Sequence, residues 1–197
     1  MTIFRSDRHA RVGGGTALYV RQSIRCHAVN DPTLNSLPES TWVKIKGDKR
    51  DILVGVIYRP PAAHTEYDTL FLRVLSHLDR FQQNSIVLLG DFNIPDFNTI
   101  IVSDENLSQS MSSRLYMAFL MAGLQQLVEE PTRWAPDGRS SMLDLIFANE
   151  DNLVSGIQTS STLGRSDHCC LSFLLHKGSH ISTTGGKRWS RIFIRPI

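Results

Sequence analysis

At 197 residues and 41% hydrophobic composition, the chain is long enough to bury a core without cross-links and reads as one globular domain. Its formal net charge of +2 falls short of a strong nucleic-acid signature but does not oppose an approach to phosphate. No apolar run reaches the roughly 18 residues that span a bilayer, and the first residues lack the apolar stretch of a signal peptide.

Cys26, Cys169 and Cys170 form neither a CxxC pair nor an even framework. A bridge between the adjacent two would be strained, so all three read as reduced thiols in an intracellular protein with no membrane partner.

In chain order, Thr16 to Val20 is a short apolar run after Gly13-Gly14-Gly15 and predicts a strand. No Lys-Ser/Thr follows the glycines, so they read as a turn rather than a phosphate loop. Residues 42–46, Trp-Val-Lys-Ile-Lys, alternate with period two as a half-buried strand does. Residues 52–57 and 85–89 are nearly all apolar and rich in Val and Ile, as strands covered on both faces are.

Between those runs a helix is expected over 65–81. Tyr67, Leu70, Phe71, Val74, Leu75, Leu78 and Phe81 recur at three- and four-residue intervals, and Thr65 with Asp68 has capping-box-like spacing. A second helix is expected over 112–122, with Leu115, Tyr116, Phe119 and Leu120 inward and Gly123 placed to stop it. Strands are expected at 124–128, 142–147, 153–158 and 169–175. This alternation, ending in a strand-rich half, indicates a layered α/β domain over residues 1–175. From 176 to 197 Lys177, Lys187, Arg188, Arg191 and Arg195 sit among Gly, Ser and Thr, a basic tail read as disordered.

Four segments carry candidate chemistry. Gly90-Asp91-Phe92-Asn93 follows a buried run, where α/β layers present functional groups. In an extended segment Asp91 and Asn93 project to one side while Phe92 enters the core, and carboxylate beside carboxamide suits a metal-bound phosphate. The structural alternative is an Asx turn. Ser166-Asp167-His168 stands before an apolar run, where Asp and His can bind metal, polarise water or contact phosphate, or form a plain surface loop.

Asp144, within Leu-Asp-Leu-Ile-Phe, needs a partner if buried, and His168 is the natural one; otherwise it faces solvent. Tyr58-Arg59 ends a strand before two prolines, where a hydroxyl or guanidinium can hold a phosphate oxygen. Trp134 and Arg139, in residues 132–141, can stack on or grip DNA, or form a rim loop.

The ordered set of strand-end Tyr, GDFN, strand Asp and SDH resembles the endonuclease/exonuclease/phosphatase (DNase-I-like) superfamily. The stretches Gly-Gly-Gly-Thr-Ala-Leu-Tyr-Val from Gly13, Gly-Val-Ile-Tyr-Arg-Pro-Pro from Gly55, Leu-Leu-Gly-Asp-Phe-Asn-Ile-Pro from Leu88, Glu-Pro-Thr-Arg from Glu130 and Leu-Asp-Leu-Ile-Phe-Ala-Asn from Leu143 narrow it. They are similar to the apurinic-endonuclease-like endonuclease domain of LINE-type non-LTR retrotransposons. The resemblance implies an α/β four-layer sandwich, two mixed β-sheets face to face with outer helices. It also implies Mg2+-dependent phosphodiester cleavage (with Mn2+ able to replace it), DNA as partner, a nuclear location and a reverse transcriptase elsewhere in the full-length element.

Carried over by motif, Asp91 and Asn93 orient and activate the attacking water, and Asp167 with Asp91 lies at the metal. Asp144 holds His168 against the scissile phosphate, and Tyr58 hydrogen-bonds a phosphate oxygen. Arg59, Thr132, Arg133 and Ser166 are expected to contact substrate phosphate or DNA. The family's metal-contacting Asn and Glu, upstream of the glycines, have no match in the first twelve residues. Glu39, Glu66, Glu105, Glu129, Glu130 and Glu150 read as lying in turns, helix starts or loops.

The expectation is therefore a domain incomplete at its N-terminus, with first strands missing and an impaired metal site. It would be a decayed element copy or a gene start at an internal Met. Two other readings stand beside it: a phosphatase or phosphodiesterase of the same superfamily, and a non-catalytic fragment with residual nucleic-acid binding.

Overall fold

The structure, a computed structural model, describes residues 1–8, 13–61, 63–95, 97 and 110–177. Nearly all of the tail read as disordered therefore lies outside the described residues. The described strands are β1 (Thr2–Ser6), β2 (Thr16–Val20), β3 (Cys26–Ala28), β4 (Ser40–Ile45), β5 (Ile52–Tyr58), β6 (Ser85–Asp91), β7 (Gln125–Gln126), β8 (Arg133–Trp134), β9 (Ser140–Ser141), β10 (Asp144–Ala148), β11 (Val154–Thr162) and β12 (Cys169–Leu175). Helix α1 (Thr65–His77) runs into a 3-10 turn (Leu78–Phe81), and α2 (Met111–Met121) follows β6.

The centre is a six-stranded sheet in the order β3-β4-β5-β6-β10-β7. It is mixed: β5 and β6 are parallel, joined through α1, and β10 lies antiparallel to β6. Alternation along each strand feeds two cores. Trp42, Leu53, Leu88 and Phe147 point to one face, where α1 and α2 pack. Val43, Val54, Val87, Leu89 and Ile146 point to the other, covered by Leu18 and Val20 of the β1-β2 hairpin and Leu171 and Phe173 of the β11-β12 hairpin. The expected α/β sandwich is thus the observed fold, with helices, a mixed sheet and a second β layer.

On the helical side Phe71, Phe92, Phe97, Phe119 and Phe147 form an aromatic cluster. Phe119 stacks on Phe147 at 3.9 Å between centroids, and Phe92 meets Phe147 edge-on at 5.2 Å. Burying a Phe contributes about 1.5–3 kcal/mol relative to exposure, so Phe92 is a firm anchor for the chain just beyond β6.

Local expectations shift where tertiary contacts override them. Residues 42–46 are not a half-buried strand: β4 is covered on both faces, and Lys44 lays its ammonium 5.8 Å from the Phe81 ring centroid. The capping box at Thr65 is absent, since the N-cap is His64 and the Asp68 carboxylate pairs with Arg59 instead. Helix α2 is capped by Ser110, whose hydroxyl accepts from the Ser113 amide, and it turns Leu115 and Phe119 inward while Leu120 is exposed.

The run at 124–128 pairs only at β7, and β1, outside the strands expected from the sequence, pairs antiparallel with β2 from Thr2–Val20 to Ser6–Thr16. All three cysteines are free thiols. No described helix is long and apolar enough to cross a membrane.

Candidate active site

Three of the expected residues lie in a row across the sheet. The parallel register sets Tyr58 beside Asp91, and the antiparallel register sets Asp91 beside Asp144. Side chains alternate in a strand, so each shares a face with the core residue two positions inward: Val56, Leu89 and Ile146. That face carries the β11-β12 hairpin, and His168 stands one residue before β12. The row thus meets His168 from the side.

Gly90 makes the row compact. Its φ is +146°, and a Cβ there would lie 1.8 Å from the Ile57 carbonyl oxygen, so only glycine lets β6 run this close to β5.

The His168 Nδ1 lies 2.7 Å from Asp144 Oδ2, and this pair is well buried. Asp91 is 4% exposed and Asp144 2%. One ligating atom from each of Asp91, Asp144 and His168 falls within 4.8 Å of the others. Burial, then the Asp144 charge, push the Asp91 carboxyl up to about 7, against the His168 charge and the Asn93 amide. Burial pulls His168 down, but its hydrogen bond to Asp144 and the charges of Asp144, Asp91 and Asp167 outweigh this and raise it above its ordinary value.

The remaining expected residues are placed differently. Asn93 is not on an extended strand with Asp91: β6 ends at Asp91 and Asn93 has φ 48°. Its amide donates to Asp91 Oδ1 at 3.1 Å, an Asx turn, and its side chain donates to the Arg59 carbonyl at 2.8 Å. Phe92 does enter the core, its amide bonded to the Leu143 carbonyl at 2.8 Å.

Arg59 is turned inward rather than towards a phosphate. Its Nε and Nη2 bind the two Asp68 oxygens at 2.8 and 3.0 Å, and its Nη1 donates to the Asn93 carbonyl at 3.1 Å. Thr132 is wholly enclosed and has no surface for DNA. Its hydroxyl accepts from the Leu143 and Asp144 amides at 3.1 and 3.0 Å, holding the start of β10.

Asp167 stands outside the cluster of potential ligating groups formed by Asp91, Asp144 and His168. The Asp167 carboxylate receives Arg133 Nε at 2.7 Å; burial pushes its pKa up, but that hydrogen bond holds it below the usual range. The Ser166 hydroxyl accepts the His168 amide at 3.1 Å. Arg133 and His168 form an isolated bridge, so the β8-β9 hairpin, with Trp134 44% exposed, is tied to the cluster through 166–168.

One charged residue beside the row went unrecognised. Glu39, read as lying in a turn, is buried and hydrogen-bonded to Arg8 and Gly15, and its carbonyl accepts the Tyr58 amide at 3.0 Å. Its partner lies 31 residues earlier, a separation that no local pattern reports.

Two buried carboxylates beside one another are oxygen donors that a divalent cation fits, since its charge would offset the burial and the Asp144 repulsion that raise Asp91. The carboxylates suit Mg2+ or Mn2+, both of which prefer oxygen donors.

A mixed sheet between helices and β-hairpins, with Tyr, Asp and Asp in one row and a His brought against them, defines the endonuclease/exonuclease/phosphatase superfamily. Within it, the chain belongs to the Endonuclease-reverse transcriptase family, whose profile matches residues 52–172. No curated protein matches the sequence.

Among solved structures, the fold is similar to the endonuclease domain of TRAS1, a telomere-specific non-LTR retrotransposon. The TM-score is 0.63 at 18% identity, covering 89% of this chain and 78% of that one. It is also similar to the 3′-5′ exonuclease NExo from Neisseria meningitidis, with TM-score 0.54 at 15% identity over 77% of this chain and 70% of that one. An endonuclease/exonuclease/phosphatase family protein from Leptotrichia buccalis C-1013-b gives TM-score 0.54 at 17% identity over 89% and 70%.

Proposed function

We propose that this chain hydrolyses phosphodiesters in DNA as the Mg2+-dependent nicking endonuclease domain of a retrotransposon-type polyprotein, acting in the nucleus. Asp91 carries the reading: a buried carboxyl pushed up to about 7, at a strand end, beside a hydrogen-bonded Asp-His pair. A base poised near neutral pH can take the proton of an attacking water.

Asp144 fixes the His168 ring through Nδ1, leaving Nε2 to donate to a phosphate oxygen, and the raised pKa of His168 keeps that donor charged. Tyr58, one strand over, offers a second donor to the same phosphate. Such pre-set donors stabilise charge that builds on the phosphorus oxygens. The bound ion supplies further neutralisation of that charge, and Asp91 and Asp144 are the carboxylates that would hold it. Asn93 and Arg59 act indirectly, locking the turn that fixes Asp91.

The family profile and the likeness to the TRAS1 domain support DNA as the substrate class. Two carboxylates make a weak hold on Mg2+, so activity is proposed to be impaired and to need abundant metal.

The test is nicking of supercoiled plasmid by the purified chain with Mg2+ or EDTA, beside Asp91→Asn and His168→Ala. Nicking that needs Mg2+ and disappears in both variants is expected. Unchanged nicking in either variant, or none from the folded wild-type chain, overturns the proposal.

A further inference from the structure

At the site end of β5 lies a further ion pair, with its carboxylate buried and its guanidinium partly exposed. The Glu39 side chain is 7% exposed, and its backbone takes the left-handed φ of 54°. Its Oε1 accepts the Gly15 amide at 2.6 Å and Arg8 Nε at 2.8 Å, and its Oε2 accepts Arg8 Nη2 at 2.9 Å. The guanidinium so held lies over Tyr58, with Cζ 5.5 Å from the ring centroid.

The three glycines are shaped to this pair. Gly13, Gly14 and Gly15 all have φ between 82° and 87°. A Cβ on Gly14 would stand 2.3 Å from Glu39 Oε1 and 2.5 Å from Arg8 Cζ. The loop is therefore a wrap around a carboxylate rather than a plain turn.

A partly exposed ion pair of this kind is a modest stabiliser, because desolvation of Glu39 and solvent screening at Arg8 offset much of the attraction. Stability alone therefore does not account for a left-handed Glu, three left-handed glycines and a bidentate Arg. What the arrangement does achieve is placement. The Tyr58 amide is bound by the Glu39 carbonyl, its carbonyl by the Tyr67 hydroxyl at 2.9 Å, and its ring by Arg8. A planar guanidinium fixed by two hydrogen bonds presents a rigid face, which favours one setting of the aromatic ring beneath it.

We propose that Arg8, clamped by Glu39 and the Gly13–Gly15 loop, is a positioning residue that sets the Tyr58 ring so that its hydroxyl faces the phosphate held beside Asp91. The role of that hydroxyl rests on the proposed function; the setting of the ring does not.

The chain has four tyrosines, so 19F NMR of the fluorotyrosine-labelled protein gives four lines, with Tyr58 assigned by Tyr58→Phe. Arg8→Met removes the clamp, and Gly14→Ala displaces it while leaving Arg8 and Glu39 in the sequence. Both should shift and broaden the Tyr58 line. In plasmid nicking both should lower kcat about tenfold with KM little changed, but less than about twofold in a Tyr58→Phe background, since residues acting as a unit are not additive.

A Tyr58 line unmoved in both variants overturns the proposal. So do losses that simply multiply with Tyr58→Phe, because Arg8 would then act on the substrate itself. If the wild-type chain does not nick DNA, the proposed function falls and the Tyr58 line alone decides the clamp.

Discussion

Replacing Thr132 with Val removes one oxygen and almost no volume. The residue is completely enclosed, and its hydroxyl is the acceptor for two consecutive amides, Leu143 at 3.1 Å and Asp144 at 3.0 Å. The methyl of Val fills the same space, so packing is kept while both amides lose their partner. An orphaned buried donor costs about 1–3 kcal/mol, and two sharing one acceptor together cost about 2–4 kcal/mol. For a chain of this size each kcal/mol moves Tm by roughly 2–4 °C, so a fall of roughly 5–15 °C is expected.

Urea denaturation gives the free energy directly, with Thr132→Ser as the control that keeps the oxygen and loses only a methyl, at a cost of about 1 kcal/mol. Because Asp144 is the partner of His168, loosening its amide should also lower the His168 pKa, read by an NMR titration of the ring. A Val variant no less stable than the Ser variant would falsify the assignment of Thr132 as the acceptor that holds the start of β10.

Three further outcomes follow from the same geometry. In EDTA, the Asp91 carboxyl is raised from 3.8 to about 7 on folding, so its contribution is favourable below about pH 4 and is lost as pH rises through about 7. Asp91→Asn should therefore gain on wild type by up to about 3 kcal/mol between pH 5 and pH 8 in thermal melts, the part of the shift that lies above pH 5; equal gain at both pH values would contradict the raised carboxyl. Arg59→Met, which strands Asp68 in the interior, should cost about 3–5 kcal/mol in urea titrations, and adding Asp68→Leu should restore most of it. The initial nicking rate should fall at high pH as His168 loses its proton above its ordinary range; a rate unchanged up to about pH 9 would exclude His168 as the charged donor.

Much of the fold was legible because the central strands advertise themselves. The runs of β5 and β6 are apolar on both faces, and alternation alone carries Tyr58, Asp91 and Asp144 to one side of the sheet once the register is known. The pairing of Asp144 with His168 was legible from cost: a carboxylate among Leu, Ile and Phe needs a partner, and few candidates exist.

What escaped the sequence depends on contacts across long separations. Thr132 looks like a loop residue, and nothing nearby says that its hydroxyl serves amides eleven and twelve positions on. Asp68 looks like a helix cap, yet the arginine nine residues before it claims it. Glu39 and Arg8 sit in segments without periodicity, and the glycine triplet before β2 shows its purpose only when the carboxylate it encloses is seen. Strand β1 is short and mostly exposed, so its pairing with β2 leaves little hydrophobic trace.

The alignment of Tyr58, Asp91 and Asp144 across adjacent strands means that the chemistry is written in parity rather than in loop shape. Were β10 to slide by one residue against β6, Asp144 would swing among the phenylalanines and Leu145 would take its place beside His168, with no bond length altered. The hydroxyl of Thr132 and the ring of Phe92, gripping the start of β10 and the end of β6, act as two pins against that slide. Rim loops other than those carrying His168, Asn93 and Gly13–Gly15 are thereby released from any duty to the reaction, and can diverge in length and composition while the same three strand positions remain in step.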